Sequence, residues 1–120
     1  MNQSSSQWRV FRARLDPTEG SEQAGTRPVL VVSREVINQA LPIVGVVPLT
    51  RRKPGRRIYS TEVVLPAGIA GQPEESIAMA HQLRTIARHR LGDPFGELTD
   101  PRFRDAVRDA IRIYLDLERQ

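Results

Sequence analysis

Arginine is the residue type most able to take part in binding or catalysis in this 120-residue sequence. It supplies 17 of the 18 cations, Lys53 supplies the other, and the formal net charge is +4. Guanidinium groups bind phosphate through paired hydrogen bonds and stack on nucleobases. The composition therefore favours a polyanionic partner. A GC-rich genome produces the same arginine bias, so composition alone leaves the partner open.

Several polar residues stand at positions where the chain changes structure. Arg27 lies between a turn-rich loop over 16–26 and a predicted strand, and Thr50 closes a valine-rich segment. Arg51 and Arg52 then open a seven-residue loop with five cations. Each of these features also has an ordinary structural interpretation. Arg27 fits an exposed surface cation, Thr50 fits a strand residue chosen for its β propensity, and the basic loop fits a solvated turn. Basic loops also follow phosphate backbones.

The sequence predicts neither a metal site nor a cofactor. It contains no cysteine, and its two histidines, His81 and His89, are eight residues apart, which argues against a dedicated metal site. Imidazole is a side-chain type suited to proton transfer, which makes His81 a candidate, although an isolated histidine on a strand is more often structural. No secretory leader or membrane-spanning segment is recognisable, so we expect a cytoplasmic protein.

Hydrophobic patterning predicts a single domain over residues 1–120, with residues 1–6 disordered. A short helical turn is expected over 35–40, and an amphipathic helix begins at Asp100-Pro101 and continues to about Glu118. Five short strands precede that helix without strand-helix alternation, which indicates a mostly β, α+β fold built as a small antiparallel barrel. The predicted strands cover 8–15, 27–33, 43–50, 59–65 and 76–86.

Two separated blocks of the sequence resemble the signatures of one protein family. The run LDPTEGSEQAGTRPVLVVS, from Leu15 to Ser33, resembles the N-terminal signature of the MazF/PemK toxins. A second block, Gln82-x-Arg84-Thr85-Ile86 with Arg90-Leu91-Gly92 behind it, resembles that family's other signature at the right distance. The resemblance extends roughly from Phe11 to Leu117. It implies an SH3-like barrel with added helices, assembled as a two-fold homodimer.

The resemblance also implies an activity and partners. Members of this family are endoribonuclease toxins (mRNA interferases) that cleave single-stranded RNA at short sequences, without a metal, by attack of the substrate's 2'-hydroxyl. The products are a 2',3'-cyclic phosphate and a 5'-hydroxyl end. We therefore expect a cognate antitoxin with an acidic, flexible segment. Contact with DNA is expected only through the complex with that antitoxin.

The matching positions, together with the basic loop, give the expected site residues. Arg27 corresponds to the residue that stabilises the transition-state phosphate, and Thr50 to a hydroxyl that contacts the scissile phosphate. The expected RNA contacts are Ser21, Glu22, Gln23, Arg51, Arg52, Ser76 and Gln82.

The sequence departs from the family pattern at two places. Gln7, Trp8 and Arg9 replace an arginine-glycine-acid tripeptide, and His81 replaces an acidic residue before the Gln-x-Arg-Thr block. We predict that His81 shares in proton transfer as a third catalytic residue.

Two alternatives remain. A non-catalytic poison of DNA gyrase shares this barrel, but its action depends on a Trp-Gly-Ile ending, whereas this sequence ends Leu-Glu-Arg-Gln. A barrel that binds nucleic acid or protein without catalysis is not distinguished by any sequence feature.

Overall fold

A computed structural model describes residues 5–15, 19–22 and 25–117, so Gln23 of the predicted RNA-binding set lies outside the described residues. Within them the chain forms seven β-strands and two α-helices. In chain order these are β1 Arg9–Arg14, β2 Thr26–Val31, α1 Glu35–Ala40, β3 Ile43–Arg51, β4 Glu62–Leu65, β5 Ser76–Met79, β6 Arg84–Ala87, β7 Leu91–Glu97 and α2 Pro101–Leu115. No described helix has the length and apolar character needed to cross a membrane.

The strands form one antiparallel, barrel-like sheet arranged around β3. The order is β4-β5-β3-β2-β1-β7, and β6 pairs separately with β3. The first half of β3, from Ile43 to Val46, pairs with β6, and its last residues, from Leu49 to Arg51, pair with β5. The predicted mostly β, α+β barrel is confirmed.

Both faces of the central strands are buried, because successive side chains of a strand point to opposite sides. Val10, Leu30 and Val47 belong to one core cluster, which also contains Val107 of α2. Their chain neighbours belong to a second cluster, among them Phe11, Val29, Val31 and Val46. A sheet with two apolar faces must curve and be covered, and α2 covers it by packing against β4.

The helix α2 confirms the capping prediction and ends slightly earlier than expected. The Asp100 side chain accepts a hydrogen bond from the Arg102 backbone N–H at 2.9 Å. At the other end, Asp116 adopts a left-handed conformation with φ of 56°, and the Leu117 N–H donates to the Arg112 carbonyl at 2.8 Å. This C-terminal cap stops the helix at Leu115.

The prediction of one strand over 76–86 was wrong. A 3-10 turn, Ala80–Gln82, separates β5 from β6, because the chain moves there from one half of β3 to the other. The segment β7 was not assigned from sequence, since Gly92, Pro94 and Gly96 are typical of turns. The fourth strand begins at Glu62 rather than at residue 59.

Ser6, which the sequence placed in a disordered leader, is held in place. Its backbone N–H donates to a Glu35 carboxylate oxygen at 2.9 Å, and the Gln7 N–H donates to the same oxygen. The start of the described chain is thereby tied to α1.

Candidate active-site groove

Arg27 and Thr50 lie together in an open groove of about 580 Å³. The strands β2 and β3 pair Val29 with Pro48. This pairing ends there, and Thr50 continues into the pairing of β3 with β5, opposite Ile77. Arg27 and Thr50, each two residues beyond the last β2–β3 pair, both line the groove. Arg27 is exposed and Thr50 is half-buried. The other lining residues are Arg12, Pro28, Leu49, Arg51, Gln72, Pro73, Glu74, Ser76 and Phe95.

Two glycines bring a wall of the groove against β7. Gly71 has φ of +86°, and a Cβ atom built on Gly96 would overlap the Ala70 carbonyl oxygen, so the two backbones approach closely only because both residues lack side chains. Gln72 then fixes the loop from within. Its amide accepts from the Ala70 N–H at 2.9 Å and donates to the Leu65 carbonyl at 3.2 Å.

The groove is cationic. Its described lining contains three guanidinium groups and one carboxylate, that of Glu74, which gives a net charge of +2. Arg51 contacts Glu74 at 3.1 Å, but both side chains are more than half exposed, at 64% and 54%. An exposed pair of this kind adds little stability, so an incoming phosphate can compete for Arg51. The sequence did not predict that Glu74 lines the groove, because Glu74 belongs to the loop between β4 and β5.

Arg12 and Phe95 also line the groove. The Arg12 guanidinium carbon lies 5.6 Å from the centre of the Phe95 ring, within the range of a cation–π contact. Arg12 is paired across the sheet with Pro28, the residue after Arg27. Neither side chain was assigned a functional role from sequence.

His81 lies in a different environment. It is on the 3-10 turn, its Nδ1 is 2.9 Å from the Thr61 hydroxyl, and its Nε2 is 4.0 Å from a carboxylate oxygen of Glu62. The Glu62 side chain is fully buried and accepts two hydrogen bonds from the Arg56 guanidinium, at 3.0 and 2.7 Å, and one from the Tyr59 N–H at 3.0 Å. We call Arg56, Glu62 and His81 the anchor cluster.

The charge state of the anchor cluster follows from these contacts. Burial raises the pKa of Glu62, but the hydrogen bonds from Arg56 and Tyr59, together with the charges of Arg56 and His81, outweigh burial and lower that pKa overall. Glu62 is therefore ionised at neutral pH and holds Arg56, at the end of the basic loop, against the barrel.

Comparison with known proteins identifies the family. Residues 6–115 match the profile described as "PemK-like, MazF-like toxin of type II toxin-antitoxin system". The chain belongs to the PemK/MazF toxin family.

Individual relatives agree with this assignment. The chain is 35% identical over 108 residues to Endoribonuclease EndoA of Bacillus subtilis, an alignment covering 90% of this chain and 91% of that protein. The structure described as "Mycobacterium tuberculosis toxin MazF-mt6" superimposes with a TM-score of 0.75 at 29% identity, covering 92% of this chain and 99% of that one. The structure described as an endoribonuclease in complex with its cognate antitoxin, from a mycobacterial species, superimposes with a TM-score of 0.78 at 26% identity. That match covers 98% of this chain and 100% of the other.

The predicted site residues fall in several places in the structure. Arg51 and Ser76 line the groove with Arg27 and Thr50. Arg52 belongs to the adjacent basic loop and contacts Glu75 at 3.6 Å.

The other described RNA contacts predicted from sequence, Ser21, Glu22 and Gln82, are not among the groove-lining residues. The Gln82 side-chain amide donates to the Ser21 carbonyl at 3.1 Å, which joins the two signature blocks, and Glu22 is exposed next to Ser21. His81 is not among the residues lining the groove, so the single chain provides no geometric support for its predicted catalytic role.

The departure from the PemK/MazF pattern at Trp8 has a structural explanation. Trp8 occupies the place of the family's glycine with φ of 70°, a conformation that glycine adopts without penalty. The indole is 5% exposed, and the guanidinium groups of Arg104 and Arg108 lie over it at 5.4 and 4.9 Å. Burial of the large ring offsets the strained backbone, and Trp8 belongs to the first core cluster together with Val107 of α2.

The described residues contain no group of three or more histidine, aspartate or glutamate side chains arranged to hold a metal ion.

Proposed function

We propose that this protein is an endoribonuclease toxin that cleaves single-stranded RNA at a short recognition sequence in its groove. The observation that carries the proposal is that Arg27 and Thr50 line the same open, cationic groove. Membership of the PemK/MazF family supports it, as does the similarity to relatives named endoribonucleases. Groove and family together favour catalysis over a barrel that only binds.

The proposed reaction uses the substrate's own nucleophile. The 2'-oxygen attacks the adjacent phosphorus, the bond to the 5'-oxygen breaks, and the products are a 2',3'-cyclic phosphate and a 5'-hydroxyl. The proton of the 2'-hydroxyl passes to water, to which the groove is open, and the departing 5'-oxygen takes a proton from water. Neither the redox state of any group nor the number of protons changes overall.

Arg27 and Thr50 act on the phosphate in this scheme. Negative charge increases on the non-bridging oxygens as the 2'-oxygen attacks, and the Arg27 guanidinium at the start of β2 stabilises that charge by paired hydrogen bonds. The Thr50 hydroxyl donates to one of the same oxygens and holds the phosphate in position. Because a guanidinium supplies the required charge, we propose that cleavage needs no metal ion. His81, in the anchor cluster, is assigned no step.

The proposed partners follow from charge and family. A net charge of +4 and a cationic groove suit an antitoxin segment that is acidic and flexible. A related mycobacterial endoribonuclease is described in complex with its cognate antitoxin. We propose that the toxin acts in the cytoplasm as a homodimer. Exposed apolar residues such as Ile113 and Leu117 are available for the dimer interface. We also propose that the toxin contacts DNA only through the complex with its antitoxin.

The proposal is tested by incubating the purified protein with a randomised RNA pool and sequencing the new 5' ends. Cleavage within one short sequence, with 5'-hydroxyl ends, is the expected result. Arg34→Lys, a change at an exposed arginine outside the groove lining, serves as the control and should cleave the same sequence. An intact pool after incubation with antitoxin-free, folded protein would contradict the proposal.

A further inference from the structure

We propose that Arg12 and Phe95 form a stacking subsite for one nucleobase of the bound RNA. The inference rests on the proposed function, since it requires RNA in the groove. It assigns a role to two side chains that belong to neither signature block.

The position of Phe95 results from an irregularity in β7. The ladder between β1 and β7 pairs Val10 with Gly96 and Phe11 with Pro94, so Phe95 is an extra residue on β7 without a partner on β1. A bulge of this kind redirects a side chain and is frequent beside active sites. Here it brings Phe95 to the lining of the groove, while the ring still packs against the first core cluster.

Arg12 completes the surface. Its side chain is exposed, its guanidinium lies over the Phe95 ring at 5.6 Å, and its cross-strand partner is Pro28, next to Arg27. An arginine that only contacts phosphate needs no ring beneath it. A guanidinium supported by an aromatic ring and open on its other side provides a platform on which a base can stack.

Other arginine–aromatic pairs do not offer such a platform. The ring of Trp8, under Arg104 and Arg108, is buried. The remaining rings that an arginine covers are not among the groove-lining residues; these are Phe11, Tyr59 and Phe103. Among the described residues that line the groove, Phe95 is the one aromatic side chain. The subsite therefore lies beside the Arg27–Thr50 pair, within reach of a base next to the scissile phosphate.

The experiment measures coupling between the two side chains and a single base. The recognition sequence found from the randomised pool is synthesised as a short RNA with a 2'-deoxy nucleotide before the scissile phosphate, and an abasic nucleotide replaces each base in turn. For the wild type, we expect one abasic position near the scissile phosphate to weaken Kd about tenfold or more. Phe95→Leu and Arg12→Lys should weaken binding of the intact RNA by a similar factor. For these variants, the Kd values of the intact RNA and of that abasic RNA should agree within about threefold.

Arg14→Lys is the matched control. It is an exposed arginine on the same strand, two residues further along and outside the groove lining, so it should keep the wild-type abasic penalty. The fluorescence of 2-aminopurine at the sensitive position should be quenched on binding to the wild type and to Arg14→Lys, and should stay high with Phe95→Leu. The melting temperature of each variant checks that it is folded.

The outcomes separate this inference from the proposed function. If the wild type cleaves RNA but Phe95→Leu and Arg12→Lys keep every abasic penalty, the stacking subsite is overturned and the proposed function stands. If Arg12→Lys binds like the wild type while Arg12→Ala binds weakly at every position, Arg12 is a phosphate contact and the stacking role is wrong. If the wild type neither binds nor cleaves RNA, both are overturned.

Discussion

The groove and the anchor cluster both combine arginine with a residue of the β-sheet, yet they differ in how the positive charge is used. In the anchor cluster, Arg56 is held by the fully buried carboxylate of Glu62 through two hydrogen bonds. In the groove, Arg51 contacts Glu74 through an exposed ion pair, and Arg27 is exposed. The first arrangement is closed to ligands, whereas the second can exchange its partner for a phosphate.

This difference explains why two regions rich in arginine receive different roles. A buried carboxylate that accepts several hydrogen bonds fixes its arginine and contributes to the stability of the fold. An arginine beside solvent contributes little to stability and is available for binding. Substitutions in the groove should therefore change activity without changing stability, and substitutions in the anchor cluster should do the reverse.

Arg27→Lys should have the largest effect. Lysine keeps the charge but replaces the fixed donors of the guanidinium with one mobile ammonium group, so we expect single-turnover cleavage to slow by about 10² or more. The melting temperature should change by less than ~2 °C, since an exposed side chain contributes little to stability. The rate is measured on the recognition sequence and the stability by thermal unfolding. A rate within threefold of the wild type would make Arg27 an ordinary surface cation.

Glu62→Gln should show the opposite pattern. Removing the buried charge leaves Arg56 without its ionic partner, and we expect the free energy of unfolding at pH 7 to fall by about 2–4 kcal/mol. Because the pKa of Glu62 is lowered in the folded state, its stabilising contribution is present above the unfolded pKa and is lost as pH falls through the folded pKa. The difference between wild type and variant should therefore shrink below about pH 4.

Denaturant unfolding between pH 3 and about pH 8 measures this difference. Glu74→Gln is the matched control, because it removes a carboxylate from an exposed ion pair, and its stability should stay within about 0.5 kcal/mol of the wild type. Equal losses for Glu62→Gln and Glu74→Gln would remove the distinction between the two regions.

The basic loop should affect binding in proportion to its phosphate contacts. Arg51→Gln and Arg52→Gln should each reduce the slope of log Kd against log salt by up to ~0.7, without altering the recognition sequence. Binding titrations of an uncleavable RNA at several salt concentrations give the slope. A slope that stays the same in the double variant would show that neither arginine contacts the phosphate backbone.

His81→Gln should have the smallest effect on cleavage. The imidazole lies 4.0 Å from Glu62 and outside the groove lining, so we expect a single-turnover rate within threefold of the wild type and an unchanged pH profile. A loss of about 10² in rate, together with the disappearance of an inflection between about pH 5.5 and 7.5, would restore the catalytic role predicted from sequence.

The sequence predicted well the features that depend on local pattern. The alternation in β1 and the apolar run of β2 place both strands, α1 was predicted at its observed bounds, and the Asp100-Pro101 cap marks the start of α2. These signals come from neighbouring residues and need no tertiary information.

Features that depend on tertiary contacts were not predictable. The strand β7 contains two glycines and a proline, and its pairing with β1, with two register shifts, overrides their preference for turns. The same irregular pairing brings Phe95 into the groove. His81 was predicted to share in proton transfer because it replaces an acidic residue of the family pattern, and that role stays a prediction. Nothing in the sequence indicated that the 3-10 turn between β5 and β6 would place its imidazole 4.0 Å from Glu62.

The central claim is that Arg27 and Thr50 promote attack by the substrate's own 2'-hydroxyl without a metal. The most direct measurement compares two RNAs of the recognised sequence, one of them 2'-deoxy only at the nucleotide before the scissile phosphate, with the wild-type protein in excess EDTA. We predict complete cleavage of the ribose substrate, with cyclic phosphate and 5'-hydroxyl ends, and no cleavage of the deoxy substrate. Cleavage of the deoxy substrate, or loss of all activity on chelation that added metal restores, would contradict this account.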